Sequence, residues 1–279
     1  MVADLIYDVG LHNGGDTAYY LHKGFRVVAV DANPVLTAAA QRRFEEEIAS
    51  GRLTVLNIGI AETEGTLSFW VNEANDTQSS FNEARAKLYG PCHEIRVPCI
   101  PLSAVMAQHG VPYHMKVDIE GYDYLCVRAL DSKDLPKYIS VELDRDHDLV
   151  AELQHLGYRR FKIINQLTFT ESIPIAQDEI GFRLLRKLSV KVPPFQRMLS
   201  RPAIASRLKK VDFDRLVDQL PYKFGEGSSG PFAEETSGPW YTANEVTTRI
   251  RAIERFVDRK IAAGHLPAGS IWFDIHATY

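Results

Sequence analysis

Short runs of consecutive apolar residues, each closed by glycine or a polar residue, recur through the first 165 residues. Residues 5–9 and 26–31 read as two buried strands, because strands of a parallel sheet are covered on both faces and lose the alternation of half-buried ones. A third run covers 53–61 and a shorter one 66–71, where a hairpin is added. Further runs cover 94–100, 113–120, 137–144 and 158–164. Helical stretches lie between them, at 34–49, from 102 to 109, from Gly121 to 130, and at 148–156. Ser50-Gly51 and Gly157 end two of these helices, and Pro34 suits a first helical turn. Strand and helix in alternation predict an α/β domain with a doubly wound, mostly parallel sheet and helices on both faces. Residues 72–93 are irregular, and a loop of that length in a compact domain is functional or disordered.

Beyond residue 165 the pattern loosens. Residues 182–192 mix apolar and basic side chains, Pro193-Pro194 interrupts them, and 204–220 alternates in a helical manner. Residues 224–240 have the glycine, serine and proline content of a linker. Phe232, Trp240 and Tyr241 instead suit a lid closing over a flat or apolar ligand. A helix over 244–263 and a strand over 270–276 complete the pattern. The expected organisation is a core over 1–165, an insertion or lid over 166–241, and a C-terminal helix and final core strand over 242–279.

The chain has 279 residues, 45% hydrophobic and 24% charged, enough apolar material for one large α/β domain. Its net charge of −4 supplies no basic footprint for nucleic acid or an anionic membrane. No signal-peptide pattern precedes the first strand, and no apolar run nears the ~20 residues that span a bilayer. Three cysteines without metal-ligand spacing fit a reduced, cytoplasmic compartment. A homo-oligomer, with the insertion as interface, is compatible with this organisation.

Candidate chemistry gathers at the carboxyl ends of the strands, where such sheets bind ligands. The first strand runs into Gly10-Leu-His-Asn-Gly-Gly-Asp-Thr17. Asp16 or Thr17 would cap the helix that follows, and bare N–H groups and the helix dipole would face a ligand. The second strand ends at Asp31, 21 residues after Gly10, close to the ~20-residue spacing at which an acid takes ribose hydroxyls. An adenosine site follows, which nicotinamide dehydrogenases and S-adenosylmethionine-dependent methyltransferases both possess. A dinucleotide fingerprint needs three glycines in register against a pyrophosphate. His12 stands in the second position and would crowd it, whereas Asp8 suits a cofactor bearing an ammonium group.

Asp8-Val-Gly-Leu-His-Asn-Gly-Gly-Asp-Thr17, Val30-Asp-Ala-Asn-Pro34, Lys116-Val-Asp-Ile-Glu-Gly121 and Ser140-Val-Glu-Leu143 resemble the FkbM family of S-adenosylmethionine-dependent methyltransferases. The resemblance covers about the first 165 residues. It implies a class I methyltransferase (Rossmann-like) fold with an antiparallel final strand, and methyl transfer to a hydroxyl of a sugar, polyketide or other secondary metabolite. The partner is then a small-molecule or glycan acceptor. Asp8, Gly10, His12, Asn13, Gly14, Asp16 and Thr17 would hold the methionine portion of the cofactor, and Asp31 the ribose, with Ala32 and Asn33 beside the adenine. Asn57, Gly59 and Ile60 would frame the adenine, and Asp118 would face the sulfonium methyl. A hydroxyl acceptor needs a base, for which Asp118 and Glu120 lead and His12 follows. Ser79, Ser80, Asn165, Gln166 and Trp240 are placed around the acceptor. An antiparallel last strand brings Ser270 and Trp272 nearer the site than His276, which becomes a core residue.

Hard oxygen ligands at Asp118, Glu142 and Asp144 leave a divalent metal open as an addition to this scheme. The rival enzyme is an NAD(P)-dependent oxidoreductase, for which no third glycine or Tyr-Lys or His-Asp relay is evident. The rival non-enzyme is a catalytically inactive cofactor-binding partner subunit, against which Asp8, Asp31, Asp118 and Glu120 stand.

Overall fold

The strands are β1 (Val2–Val9), β2 (Arg26–Asp31), β3 (Leu53–Asn57), β4 (Gly59–Ile60), β5 (Gly65–Asn72), β6 (Cys92–Ile100), β7 (Pro112–Val117), β8 (Tyr138–Glu142), β9 (Arg160–Asn165) and β10 (Phe273–Thr278). The computed structural model describes residues 1–166, 168–171, 220, 222–225, 227–263 and 272–279. Seven strands form one sheet in the order β3-β2-β1-β7-β8-β10-β9. Pairing is parallel except around β10, which runs antiparallel to both β8 and β9. This is the doubly wound arrangement with a reversed final strand that the sequence predicts.

Both faces of the sheet are buried, which is why its strands read as continuous apolar runs. Leu5, Tyr7 and Val9 of β1 join Met115, Val117, Ile139, Val141 and Ile163 in one core. It is covered by α5 (Leu102–His109), α6 (Asp123–Arg128), α7 (Leu149–Leu156) and the C-terminal helix (Ala243–Ala262). Ile6, Val27 and Ala29 face the other core, with Tyr19, Tyr20 and Leu21 of α1 (Gly15–His22). Asp148 starts α7 by accepting from Ala151 N, and Thr242 caps the C-terminal helix in a reciprocal box with Glu245.

Two stretches differ from the sequence reading by more than a few terminal residues. The helix expected over 34–49 breaks at Phe44 (φ −114°) into α2 (Pro34–Arg43) and α3 (Glu45–Ala49). Phe44 turns inward there, its ring closing against Gly14. The run at 53–61 is two strands, because the chain leaves the main sheet at Ile58 and β4 pairs with β6 instead. With β5, these make a three-stranded side sheet, whose loop carries the one-turn helix α4 (Glu83–Ala86).

The glycine- and serine-rich segment packs against the second core. Phe232 is 4% exposed and sits edge-on to Tyr20 at 5.3 Å and stacked on His114 at 4.8 Å, inside the second core. Residues 227–241 are therefore part of the packed fold. The mixed apolar and basic stretch 182–192 and the helical alternation over 204–220, up to residue 219, lie outside the described residues, as does Ser270.

Candidate active site

Gly10 ends β1 with φ 96°, a backbone conformation that side chains rarely adopt. A Cβ there would stand 1.8 Å from the carbonyl oxygen of Asp118. Glycine thus lets the ends of β1 and β7 touch, and Asp118 N–H donates to Val9 O at 2.9 Å. The turn continues through His12 (φ 47°) and Gly14 (φ 74°) into α1. One short crossing has brought the first motif against the fourth core strand.

A cavity of about 760 Å³ opens above this junction, within the range of small-ligand sites. Gly10, His12 and Asn13 line it from the first turn, and Asp31, Ala32 and Asn33 from the second. Asp31 accepts from His12 N–H and Asn33 N–H, each at 2.8 Å and each on a different carboxylate oxygen. Burial raises its proton affinity, and those two backbone donors work against the rise. Asn33 caps α2 through Val35 N, and Asn57 Nδ2 donates to the carbonyls of Asp31 and Ala32 at 3.0 and 3.2 Å. Asn57 thus fixes the end of β2 without lining the cavity.

Beneath the cavity floor lies a charge cluster centred on Lys116. Its ammonium donates to Gly10 O at 2.7 Å and stands 3.4 Å from Asp8, 3.5 Å from Asp118 and 3.7 Å from Asp16. Lys116 is 3% exposed. Burial works against its charge, but the three carboxylates outweigh it and hold the amine protonated above the ordinary lysine range. Asp8, fully buried, also accepts from Thr17 Oγ1 at 2.6 Å. Burial still pushes its carboxyl up to about 6.

Asp118, Glu120 and Glu142 line the cavity at the ends of β7 and β8. Glu120 is held in the left-handed region (φ 55°), which costs a non-glycine residue on the order of 1–3 kcal/mol and marks functional turns. Burial and the charge of Asp118 push Glu120 up to about 7, although Arg85 opposes them. Burial, then Asp118 and Glu120, raises Glu142 as well. Raised carboxyls gathered in a cavity are candidates for acid–base chemistry.

Two further segments close the cavity. The β5–β6 loop contributes Asn75, Asp76, Thr77, Gln78, Ser79 and Phe81, and Asp76 pairs with His12 Nε2 at 3.1 Å. Asn72 orders this loop, accepting from Ala74 and Asn75 N–H and donating to Ala86 O. Phe224, Gly225, Gly227 and Ser228 close it from the other side. They are fastened there by Asp16, which accepts from the Ser228 hydroxyl and from Ser229 N–H at 3.1 Å. Trp272 completes the wall.

A family model described as the methyltransferase FkbM domain matches residues 8–160, more than half of the chain. The chain belongs to the FkbM methyltransferase family. Among solved structures it is similar to the FkbM methyltransferase of Methylobacillus flagellatus KT, at 18% identity and TM-score 0.39, over 58% of this chain and 40% of that one. It is similar to precorrin-6y C5,15-methyltransferase of Geobacter metallireducens GS-15, at 12% identity and TM-score 0.33, over 60% of this chain and 71% of that one. A third is StiE O-MT residues 942–1257, at 9% identity and TM-score 0.36, over 99% of this chain and 68% of that one. The chain therefore spans 40% of the length of the Methylobacillus FkbM protein. No curated protein matches it.

In this FkbM-family chain the cavity takes in Gly10, His12, Asn13, Asp31, Ala32, Asn33, Gly59, Ile60, Ser79, Asp118, Glu120 and Gln166 of the residues expected from sequence. It does not take in Asp8, Gly14, Asp16, Thr17, Asn57, Ser80, Asn165 or Trp240. Asp8 fails to reach it because strand alternation turns its side chain to the face that Ile6 occupies, where the ammonium it meets is that of Lys116. Asp16 is occupied by the strap at Ser228 and Ser229. Trp240 lies near Tyr138, the first residue of β8, whereas the last, Glu142, reaches the cavity. Its indole donates to Glu234 and covers the Lys162 ammonium at 4.5 Å, so it belongs to the opposite end of the sheet. His276 is buried in β10. Gln166 donates to Asp274 at 2.7 Å.

Among the described residues, no group of three His, Cys, Asp or Glu side chains is placed to hold a metal. Asp118, Glu142 and Asp144 accordingly do not converge, and Asp144 instead bonds His147 Nδ1 at 2.7 Å. Among the described residues, no helix is long and apolar enough to cross a membrane.

Proposed function

We propose that this protein transfers a methyl group from S-adenosylmethionine to a hydroxyl oxygen of a small-molecule or glycan acceptor, such as a sugar, polyketide or related secondary metabolite. The observation that carries the reading is the pair Asp118 and Glu120 at the mouth of β7, beside an adenosine-type turn. The cavity suits the cofactor chemically. Each Asp31 oxygen keeps a lone pair after binding one backbone N–H, as two ribose hydroxyls require. Leu36, Ile60 and Phe69 supply an apolar wall for a flat base. The described lining holds five carboxylates, Asp31, Asp76, Asp118, Glu120 and Glu142, and no lysine or arginine. That favours a sulfonium cation over a pyrophosphate and so opposes a nicotinamide dinucleotide.

When bound, S-adenosylmethionine supplies an electrophilic methyl group and departs as S-adenosylhomocysteine. The chain's own contribution is alignment of the acceptor oxygen and removal of its proton. Glu120 takes that proton as the oxygen lone pair takes the methyl group. Asp118 and Lys116 fix the floor beneath, and His12 with Asp76 closes the first turn over the cavity. Gln166 and Ser79 offer hydrogen bonds to the acceptor. The three cysteines are free thiols, which supports a reducing, cytoplasmic setting.

Calorimetric titration tests the cofactor assignment. S-adenosylhomocysteine is expected to bind the wild type, to bind Asp31→Ala about tenfold or more weakly after loss of a charge-assisted hydrogen bond to ribose, and NAD to bind neither. NAD binding in place of S-adenosylhomocysteine would return the chain to the oxidoreductase reading. Binding of S-adenosylhomocysteine without methyl transfer to any acceptor would return it to the inactive cofactor-binding subunit, and binding of neither would overturn the cofactor assignment.

A further inference from the structure

Glu120 is clamped in its left-handed turn from two directions. On its own connection, Asp123 accepts from Ile119 N–H at 3.0 Å and Gly121 N–H at 3.1 Å. From outside, the β5–β6 loop supplies Ser80, whose hydroxyl donates to Glu120 O at 3.0 Å, and Arg85, whose Nη2 donates to Glu120 Oε2 at 2.6 Å. Those two loop residues are tied together through Asn82. Its N–H donates to Ser80 Oγ and its Oδ1 accepts from Arg85 N–H, each at 3.1 Å. Gly121 gives the guanidinium its room, since a Cβ at that residue (φ 93°) would stand 3.2 Å from Arg85 Nη1. Arg85 does not line the cavity, so it reaches the acceptor through Glu120.

We propose that Arg85 is the positioning residue for Glu120, holding Oε2 so that Oε1 is presented to the acceptor hydroxyl. Oε1 takes no hydrogen bond from the described residues. A carboxylate gripped by one oxygen loses its rotational freedom and keeps the other as the proton acceptor. Charge gives Arg85 a second effect. Glu120 faces Asp118 just past β7, Asp123 at the start of α6 and Glu142 on β8; Lys116 stands against Asp118, and Arg85 is set against Glu120, Asp123 and Glu142. Without it, Glu120 would hold its proton to higher pH and be unavailable as a base at neutrality. The β5–β6 loop thereby does two things, walling the cavity through Asp76, Ser79 and Phe81 and orienting the base through Ser80 and Arg85.

The inference rests on reading Glu120 as the base, and the experiment separates the two. The protein is labelled with ¹³C at glutamate carboxyls and titrated by NMR, with the Glu120 resonance assigned by its loss in Glu120→Gln. The wild-type midpoint is expected near 7. Arg85→Met is expected to raise it by about one to three pH units, Arg85→Lys to restore most of the shift, and the acid limb of methyl transfer to move in the same direction. Arg85→Gln keeps a donor to Oε2 while removing the charge, and carries the same test should the methionine variant fail to fold. An unchanged Glu120 midpoint in the folded variants, with Glu120→Gln inactive, overturns the role of Arg85 and leaves the base standing. Wild-type methyl transfer by Glu120→Gln overturns the base, and this role with it.

Discussion

Replacing Lys116 by methionine is expected to cost the fold about 3–5 kcal/mol, the range for removing one partner from a buried charge cluster. Methionine keeps the length and apolar stem of lysine, so packing changes little and the loss is that of the charge. Asp8, Asp16 and Asp118 then lose the ammonium that stands between them. Gly10 O loses its donor as well, and with it the tie between the first turn and β7. The deficit is expected to be largest at neutral and alkaline pH, where the carboxylates are ionised, and to shrink on acidification as they take up protons. Denaturant unfolding of wild type and variant at pH 8 and pH 5.5 measures both effects. Asp8→Asn added to Lys116→Met should recover part of the loss, since it removes a carboxylate left without its partner. Equal stability of wild type and Lys116→Met would contradict the assignment of Lys116 as the keystone of the floor.

Replacing Glu120 by glutamine is expected to lower the rate constant of methyl transfer by about 10²–10⁴, the usual contribution of a positioned base. S-adenosylhomocysteine affinity should stay within a factor of about two, because Glu120 is assigned to the acceptor oxygen and not to the cofactor. The wild-type pH profile has a definite sign. Glu120 works as the carboxylate, so activity is present above its midpoint and is lost as pH falls through about 7. In Glu120→Gln that limb should disappear from the residual activity. Retention of both the rate and the limb would transfer the role to Asp118, the other carboxylate at this strand end.

What the sequence made legible follows from local physics. Buried parallel strands print as apolar runs, and a positive-φ turn prints as glycine, so β1, β2, β7 and β8, Gly10, Asp31, Asp118 and Glu120 can be found without coordinates. Residues whose meaning depends on a distant partner are harder to read. Lys116 stands inside one of the family's motifs, but its three carboxylates come from β1, α1 and the end of β7, and the register that sets Asp8 opposite Lys116 is a long-range fact. The sequence suits Asp8 to an ammonium, and in the structure the ammonium beside it is that of Lys116.

The loops divide in the same way. Residues 72–93 are marked by length alone as functional or disordered, and Ser79 lines the cavity. Arg85, on a one-turn helix inside that loop, has no periodicity to reveal it. Glycine- and serine-rich composition suggests a linker or lid, and the contact of Ser228 and Ser229 with Asp16 is invisible in it. From sequence, Trp240 suits the acceptor, because aromatic residues suit flat ligands. The antiparallel bridge of its neighbour Tyr241 to Phe161, near the start of β9, instead carries it to the far end of the sheet.

The most direct test supplies S-adenosylmethionine carrying a trideuterated methyl group together with a panel of neutral hydroxyl compounds, sugars and polyketide alcohols, and follows the acceptors by mass spectrometry. Transfer of the intact labelled methyl group to an oxygen, with equimolar S-adenosylhomocysteine and strong loss of rate in Glu120→Gln, is the predicted result. Transfer to nitrogen or carbon, or transfer to oxygen at an undiminished rate in Glu120→Gln, would contradict it.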